Sequence, residues 1–184
     1  LTGNTQTAAF ASSFKSFDTV SPGLSLVTPT AGGWTTNRRP GIHVAFSDNL
    51  SGIDAASSTL LLDGSETTPG RSTGAISFTP GTDLADGQHA VEASVRDRAL
   101  NLGTLSAAFG VDATPPIPAE ITGGVFPGAS VSGTVALSAT SFDATSGLAR
   151  IEVLEGAAVR ATLLPPSFSI SYNTNTLTEG SHPF

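Results

Sequence analysis

The chain has 184 residues, of which 39% are apolar and 12% charged, and its formal net charge is -7. That balance belongs to a folded chain rather than a disordered one, and it excludes a nucleic-acid surface, which needs clustered Lys and Arg to displace counterions from phosphate. With no cysteine there is no disulfide framework, thiolate metal site or cysteine nucleophile, and no run approaches the ~20 apolar residues that span a bilayer.

From the N-terminus, the first informative stretch is A-A-F-A-S-S-F-K-S-F-D-T-V-S-P, Ala8 to Pro22, which returns as A-A-F-G-V-D-A-T-P-P, Ala107 to Pro116, with Asp18 falling on Asp112. A glycine-rich polar segment, A-G-G-W-T-T-N-R-R-P, then carries the only tryptophan, Trp34. Ile42, Val44 and Phe46 alternate as one face of a strand, and Val91, Ala93 and Val95 do the same. Between them Asp63-Gly64, Pro69-Gly70, Pro80-Gly81 and Asp86-Gly87 mark turns, and Pro115-Pro116 marks a linker. The second half repeats the pattern with Val135, Leu137 and Ala139, then Ile151 and Val153, then Phe168, Ile170 and Tyr172. F-D-A-T-S-G-L from Phe142 repeats S-D-N-L-S-G-I from Ser47, so that Asp143 answers Asp48 and Gly147 answers Gly52. Leu177 to Gly180 repeats Leu84 to Gly87, and His182 then answers His89. These landmarks agree on a period of roughly 94 residues.

No useful length shows a helical apolar stripe. About seven short alternating strands per period predict an all-β chain of tandem immunoglobulin-like β-sandwiches, Greek-key and antiparallel. The ordered string P-x-I-x-V-x-F-S-D, S-G-I-D, L-x-L-D-G, L-A-D-G-x-H-x-V, V-x-D-x-A-x-N and F-x-V-D-x-T-P-P resembles the tandem bacterial Ig-like repeats of secreted and cell-surface proteins. The resemblance covers one complete repeat and most of a second. It implies an extracellular or cell-surface setting, and such repeats serve adhesins, filaments and secreted enzymes alike, so it does not by itself choose a function.

The expected organisation is a last strand of a preceding or swapped repeat plus linker at 1–18, a complete repeat at 19–112, and at 113–184 a second repeat lacking its last one to two strands. The expected cause is a fragment of a longer array. The alternative is strand donation between neighbours into a filament, but exchange alone leaves most of the sixth strand unsupplied and an open sheet edge exposed.

In an Ig-like sandwich the entering linker and the loops after the second and sixth strands lie at one end. Here they carry Asp18, Asp48, Asp54, Asp97 and Asn101, with Asp112 and Asp143 at the equivalent junction of the second repeat. Hard oxygen ligands converging there suit calcium, which takes six to eight oxygens and would stiffen the joint. The plainer reading is that Asp and Asn make side-chain turns and cap loop amides. Trp34 offers an indole that stacks on a sugar or anchors a partner, and equally one that closes the end of the sandwich. His89 and His182 read as structural, bonding the turn before a strand. No serine lies in a G-x-S-x-G elbow, and carboxylate pairs such as Asp86 with Asp97 or Glu152 with Glu155 have no deep cleft to work in, so no enzyme is expected.

The function expected is therefore a non-catalytic spacer, stalk or fibre element of a larger protein, with neighbouring Ig-like repeats as its first partners. An accessory or carbohydrate-binding module of a secreted enzyme or adhesin, meeting glycans or other subunits, is the alternative.

Overall fold

The computed structural model describes residues 17–124 and 128–182, so the closing strand expected at 1–18 lies, but for its last two residues, outside them. The described strands are β1 (Gly23–Thr28), β2 (Trp34–Thr35), β3 (Ile42–Ser47), β4 (Ile53–Leu62), β5 (Ser65–Glu66), β6 (Gly70–Arg71), β7 (Ala75–Phe78), β8 (Gly87–Asp97), β9 (Leu102–Val111), β10 (Glu120–Gly123), β11 (Thr134–Thr140), β12 (Ile151–Glu155), β13 (Ala158–Leu163) and β14 (Ser169–Asn173), followed by a single 3₁₀ turn at Thr174–Thr176. The chain divides into two compact units. Among described residues the first holds 17–28, Ile42–Phe78 and Ala90–Ala107, and the second holds Pro29–Gly41, Thr79–His89 and 108–182.

In the first unit β1, β3, β7 and β6 form an antiparallel sheet in that order. β3 alternates as its sequence predicts: Ile42, Val44 and Phe46 are buried and the residues between them are not. β4 pairs β5 on one side and β8 on the other, and β8 turns Val91, Ala93, Val95 and Asp97 inward. The β4 to β5 connection is the Asp63-Gly64 turn, with positive φ at both residues (51° and 74°), the geometry that suits the right-handed twist of a tight hairpin. Two serines shape a bulge in β4 between Asp54 and Thr59. Ser57 Oγ accepts from Arg96 N at 2.8 Å, and the buried Ser58 hydroxyl donates to Ala55 O at 2.7 Å. The local backbone thus keeps hydrogen-bond partners where the ladder is interrupted.

In the second unit β10, β11 and β14 form one antiparallel sheet and β12 with β13 another. Leu137, Ala139, Ile151, Val153, Ala161 and Leu163 make its core, with Ile121, Leu148, Phe168 and Tyr172 packed partly against it. The alternation expected at 168 to 172 holds incompletely. Ile170 is 42% exposed, and Phe168 stands just before the strand with φ at 46°. The same unit contains Phe109, wholly buried, with the His89 ring 5.6 Å away. Among the described residues the regular structure is strand apart from the one short turn, and no helix is long and apolar enough to cross a membrane.

Truncating a core side chain loses both its transfer free energy and the packing around it. Leu60→Ala in the first unit and Leu137→Ala in the second are each expected to lower stability by about 2–5 kcal/mol, read as a shift of the urea midpoint, because both leucines are essentially inaccessible (0% and 1%).

Candidate functional site at the linker aspartates

A loop that turns at the end of a sandwich leaves amide N–H groups without strand partners, and a carboxylate can accept several of them. Asp48 Oδ1 accepts from Leu50 N (3.2 Å) and Gly52 N (2.6 Å). Gly52 has φ at 81°, a conformation that favours glycine, so the tight loop and the glycine belong together. The remaining amide, Ser51 N, donates to Asp18 Oδ2 at 3.0 Å, and Val20 N donates to Asp18 Oδ1 at 2.9 Å. The linker aspartate therefore clips the entering chain to the loop of the repeat it enters.

The second unit repeats the device about 94 residues on. Asp143 Oδ1 accepts from Thr145 N (3.0 Å), Ser146 N (2.9 Å) and Gly147 N (2.9 Å), and Gly147 has φ at 79°. Ser146 N is shared with Asp112 Oδ2 at 3.0 Å, while Asp112 Oδ1 accepts from Thr114 N at 3.2 Å. The expected pair Asp112 and Asp143 thus meets at one donor.

The linker after Asp112 is held from its other side by a residue that composition and spacing did not single out as a site. Asp86 accepts from Ala113 N (3.2 Å) and from the Thr114 hydroxyl, and pairs with Arg38 at 2.9 Å. Arg38 is itself placed by Leu84 N donating to its carbonyl at 2.9 Å. The one signal that pointed here is the repeated Leu-x-acid-Gly stretch, in which Glu179 answers Asp86.

In the first unit Asp97 and Asn101 complete the cluster. Asp97 is fully buried, its Oδ1 accepts from Asn101 N (2.8 Å) and its Oδ2 from Asn101 Nδ2 (2.7 Å), which also reaches Asp18 O at 3.0 Å. Asp18, Asp48 and Asp97 offer carboxylate oxygens all within 4.8 Å of one another. Asp54 does not join them: its carboxylate caps Ala56 N at 3.1 Å, because the start of β4 carries it away from the loop. Donors already meet most of these oxygens, so the arrangement is first a hydrogen-bonded clasp. Asp48 Oδ2 is the exception, buried and without a hydrogen-bond partner, and its surroundings fit a hard cation as a further ligand.

The field at these groups follows from the same bonds. The Val20 amide, with Ser51, holds the Asp18 carboxyl below its ordinary value, Ser146 does the same for Asp112, and Thr114, Ala113 and Arg38 do so for Asp86. The recurring histidines act on backbone as expected. His89 Nε2 lies 2.9 Å from Ala85 O and His182 Nε2 2.7 Å from Thr178 O, each four residues back. His182 Nδ1 also meets Glu155 Oε1 at 2.6 Å, and Glu155 pairs with Arg160. Both partners of the His182 ring are acceptors, so the ring is satisfied as the cation, and Glu155 followed by the Thr178 carbonyl raises its pKa.

Trp34 lies on β9 rather than standing free. Its six-membered ring covers Gly110, where an added Cβ would come within 2.2 Å of Cε3, and β2 pairs β9 in parallel through Trp34 and Gly110. Trp34 as a whole remains 43% exposed.

No family model matches the sequence, and no curated protein matches it. The structure is similar to that of the fibronectin(III)-like modules of Clostridium thermocellum CbhA, with a TM-score of 0.52 and 14% identity over 86% of this chain and 81% of that one. Dimeric latent PorU from Porphyromonas gingivalis matches at a TM-score of 0.42 and 17% identity, over 87% of this chain and 16% of that one. The first likeness, with the sheets described above, places the chain in the immunoglobulin-like, fibronectin(III)-type class of β-sandwich folds.

Two outcomes follow. Asp18 and Asp112 have lowered pKa values, so they stabilise the fold above about pH 3.9, the unfolded carboxylate value, and that contribution is lost as pH falls through their folded values. His182 is raised, so its contribution is complete below about pH 6.5 and is lost as pH rises through its folded value. A melting-temperature profile should therefore fall at both ends, and His182→Gln should flatten the upper limb while leaving the lower one. Gly110→Ala should lift Trp34 from β9 and shift its fluorescence emission toward that of a solvated indole; an unchanged spectrum would contradict the packing.

Proposed function

We propose that the chain is a non-catalytic spacer or stalk segment of a longer extracellular or surface-attached protein built from repeated Ig-like sandwiches. The observation that carries this reading is the clasp formed twice at the same repeat position, Asp18 with Asp48 and Asp112 with Asp143. A module whose work is mechanical needs its linkers held, and the linker Asp112–Thr114 is bonded by Asp86 on one side and to Ser146 on the other, with Pro115 and Pro116 fixing φ beyond it. The likeness to fibronectin(III)-like modules supports a modular role in a larger chain. Amide relaxation by NMR tests it: linker residues 112–116 should have order parameters near those of the strands, about 0.85, and Asp86→Ala with Thr114→Ala should lower them. Linker values below about 0.6 in the unaltered chain would overturn the stalk reading.

Calcium at Asp18, Asp48, Asp97 and the Asn101 amide oxygen extends the same reading. The buried, unpartnered Asp48 Oδ2 among three close carboxylates supports it. A cation bound only by the folded chain stabilises it by about 2.7 kcal/mol at a hundredfold excess over Kd. Calcium should therefore raise the melting temperature, and chelator or Asp48→Ala should remove the rise. A melting temperature indifferent to chelator and calcium leaves the clasp as hydrogen bonds alone.

A further inference from the structure

We infer that Asp86 and Thr114 form a matching position that decides which repeat can follow which. A repeat with an acid at the place of Asp86 takes as its successor one whose linker reads Asp-x-Thr, and refuses one whose linker reads Asp-x-Val. Resting on the reading of the chain as a segment of an Ig-like array, this names the neighbour that one of its joints accepts.

The two linkers of the chain treat the repeat they enter alike. Val20 N donates to Asp18 Oδ1 at 2.9 Å and Thr114 N to Asp112 Oδ1 at 3.2 Å. Each aspartate then takes a serine amide of the loop beyond it, Ser51 N or Ser146 N, at 3.0 Å. The linkers part company in the side chain two places after the aspartate. Valine and threonine have nearly the same shape, but only threonine carries a hydroxyl. Thr114 donates its hydroxyl to Asp86, in the repeat that the chain is leaving, and the same carboxylate accepts from Ala113 N at 3.2 Å and pairs with Arg38 at 2.9 Å. Val20 has no hydroxyl to give and is 50% exposed.

Asp86 needs its donors. Its side chain is largely buried, and the charge of Asp112 lies close enough to oppose its own. An isopropyl group in place of the hydroxyl removes a bond to a charged group and sets apolar surface against the carboxylate, a mismatch of the kind by which interfaces reject near-identical partners. A linker of the Val20 kind fits a neighbour that offers apolar surface at that point. The clasp with the entered repeat is thus common to both linkers, and the contact with the repeat left behind selects the neighbour.

The test exchanges the residue of one linker for that of the other in the full 184-residue chain. The Ala113 amide, bonded to Asp86, reports opening of the joint by hydrogen exchange. After correction for intrinsic rates, Thr114→Val should speed its exchange about tenfold, the worth of a hydrogen bond to a charged group, whereas Thr114→Ser should leave it close to that of the unaltered chain. Equal exchange with and without Thr114→Val overturns the assignment, and so does an equal loss with Thr114→Ser, which would make side-chain bulk responsible. NMR order parameters of residues 112–116 close the cycle: Thr114→Val should lower them when Asp86 is present and leave them unchanged when Asp86→Ala has already been made. A further fall in that background also overturns it. Low order parameters in the unaltered linker sink the stalk reading, whereas an ordered linker indifferent to Thr114→Val sinks this inference alone.

Discussion

Backbone amides at the end of a β-sandwich have no ladder to join, and a buried N–H without an acceptor costs free energy comparable to a lost hydrogen bond. In this protein carboxylates accept them. Asp48 and Asp143 each gather amides of a single tight loop around a positive-φ glycine, and Asp18 and Asp112 take a further amide from that loop while sitting in the linker. Because one bond joins linker to loop, the loop conformation and the direction in which the chain enters the repeat are set together. A linker aspartate replaced by an apolar residue would leave Ser51 N or Ser146 N without that acceptor.

The same constraint explains why acid clusters without repelling itself apart. Asp18, Asp48 and Asp97 lie close, but each accepts N–H donors, and the Asn101 amide stands between the buried Asp97 carboxylate and the Asp18 carbonyl. Hydrogen bonds to the charged form keep a carboxylate ionised. At Asp18 the bonds from Val20 and Ser51 hold the carboxyl below its ordinary value, so the linker carboxylate stays an acceptor for the joint. Asp86 with Arg38 adds a salt bridge whose partners are 17% and 36% exposed, and its value lies in holding Ala113 and Thr114 rather than in the ion pair alone.

His89 and His182, which answer one another in the sequence, lie in different surroundings. His89 is buried beside Phe109, whereas His182 sits among Glu155 and Arg160. The His182 ring meets Glu155, itself paired with Arg160, and binds best when protonated, so its contribution to stability is lost as pH rises through its raised pKa.

Much of this was legible in residue order alone. Alternation at Ile42–Phe46, Val91–Val95 and Leu137–Ala139 defines strands because the side-chain period of a pleated strand is two, and the recurrence of aspartate, glycine and acid-glycine positions at roughly 94 residues marks Asp18 with Asp112 and Asp48 with Asp143 as equivalent places. What residue order could not supply was partnership across long separations. Asp54 stands as close in sequence to the loop as its neighbours but leaves it with β4, and Asp86, twenty-eight residues from Thr114, joins the linker only because β8 and β9 bring its loop back beside it. Ile170 alternates correctly yet is exposed, and Trp34 is polar in context yet lies on Gly110. Pattern along a chain reports which face a residue prefers, through hydrophobicity and turn chemistry. Which carboxylate meets which amide is decided only when distant strands pair, because a hydrogen bond needs its two atoms within about 3 Å.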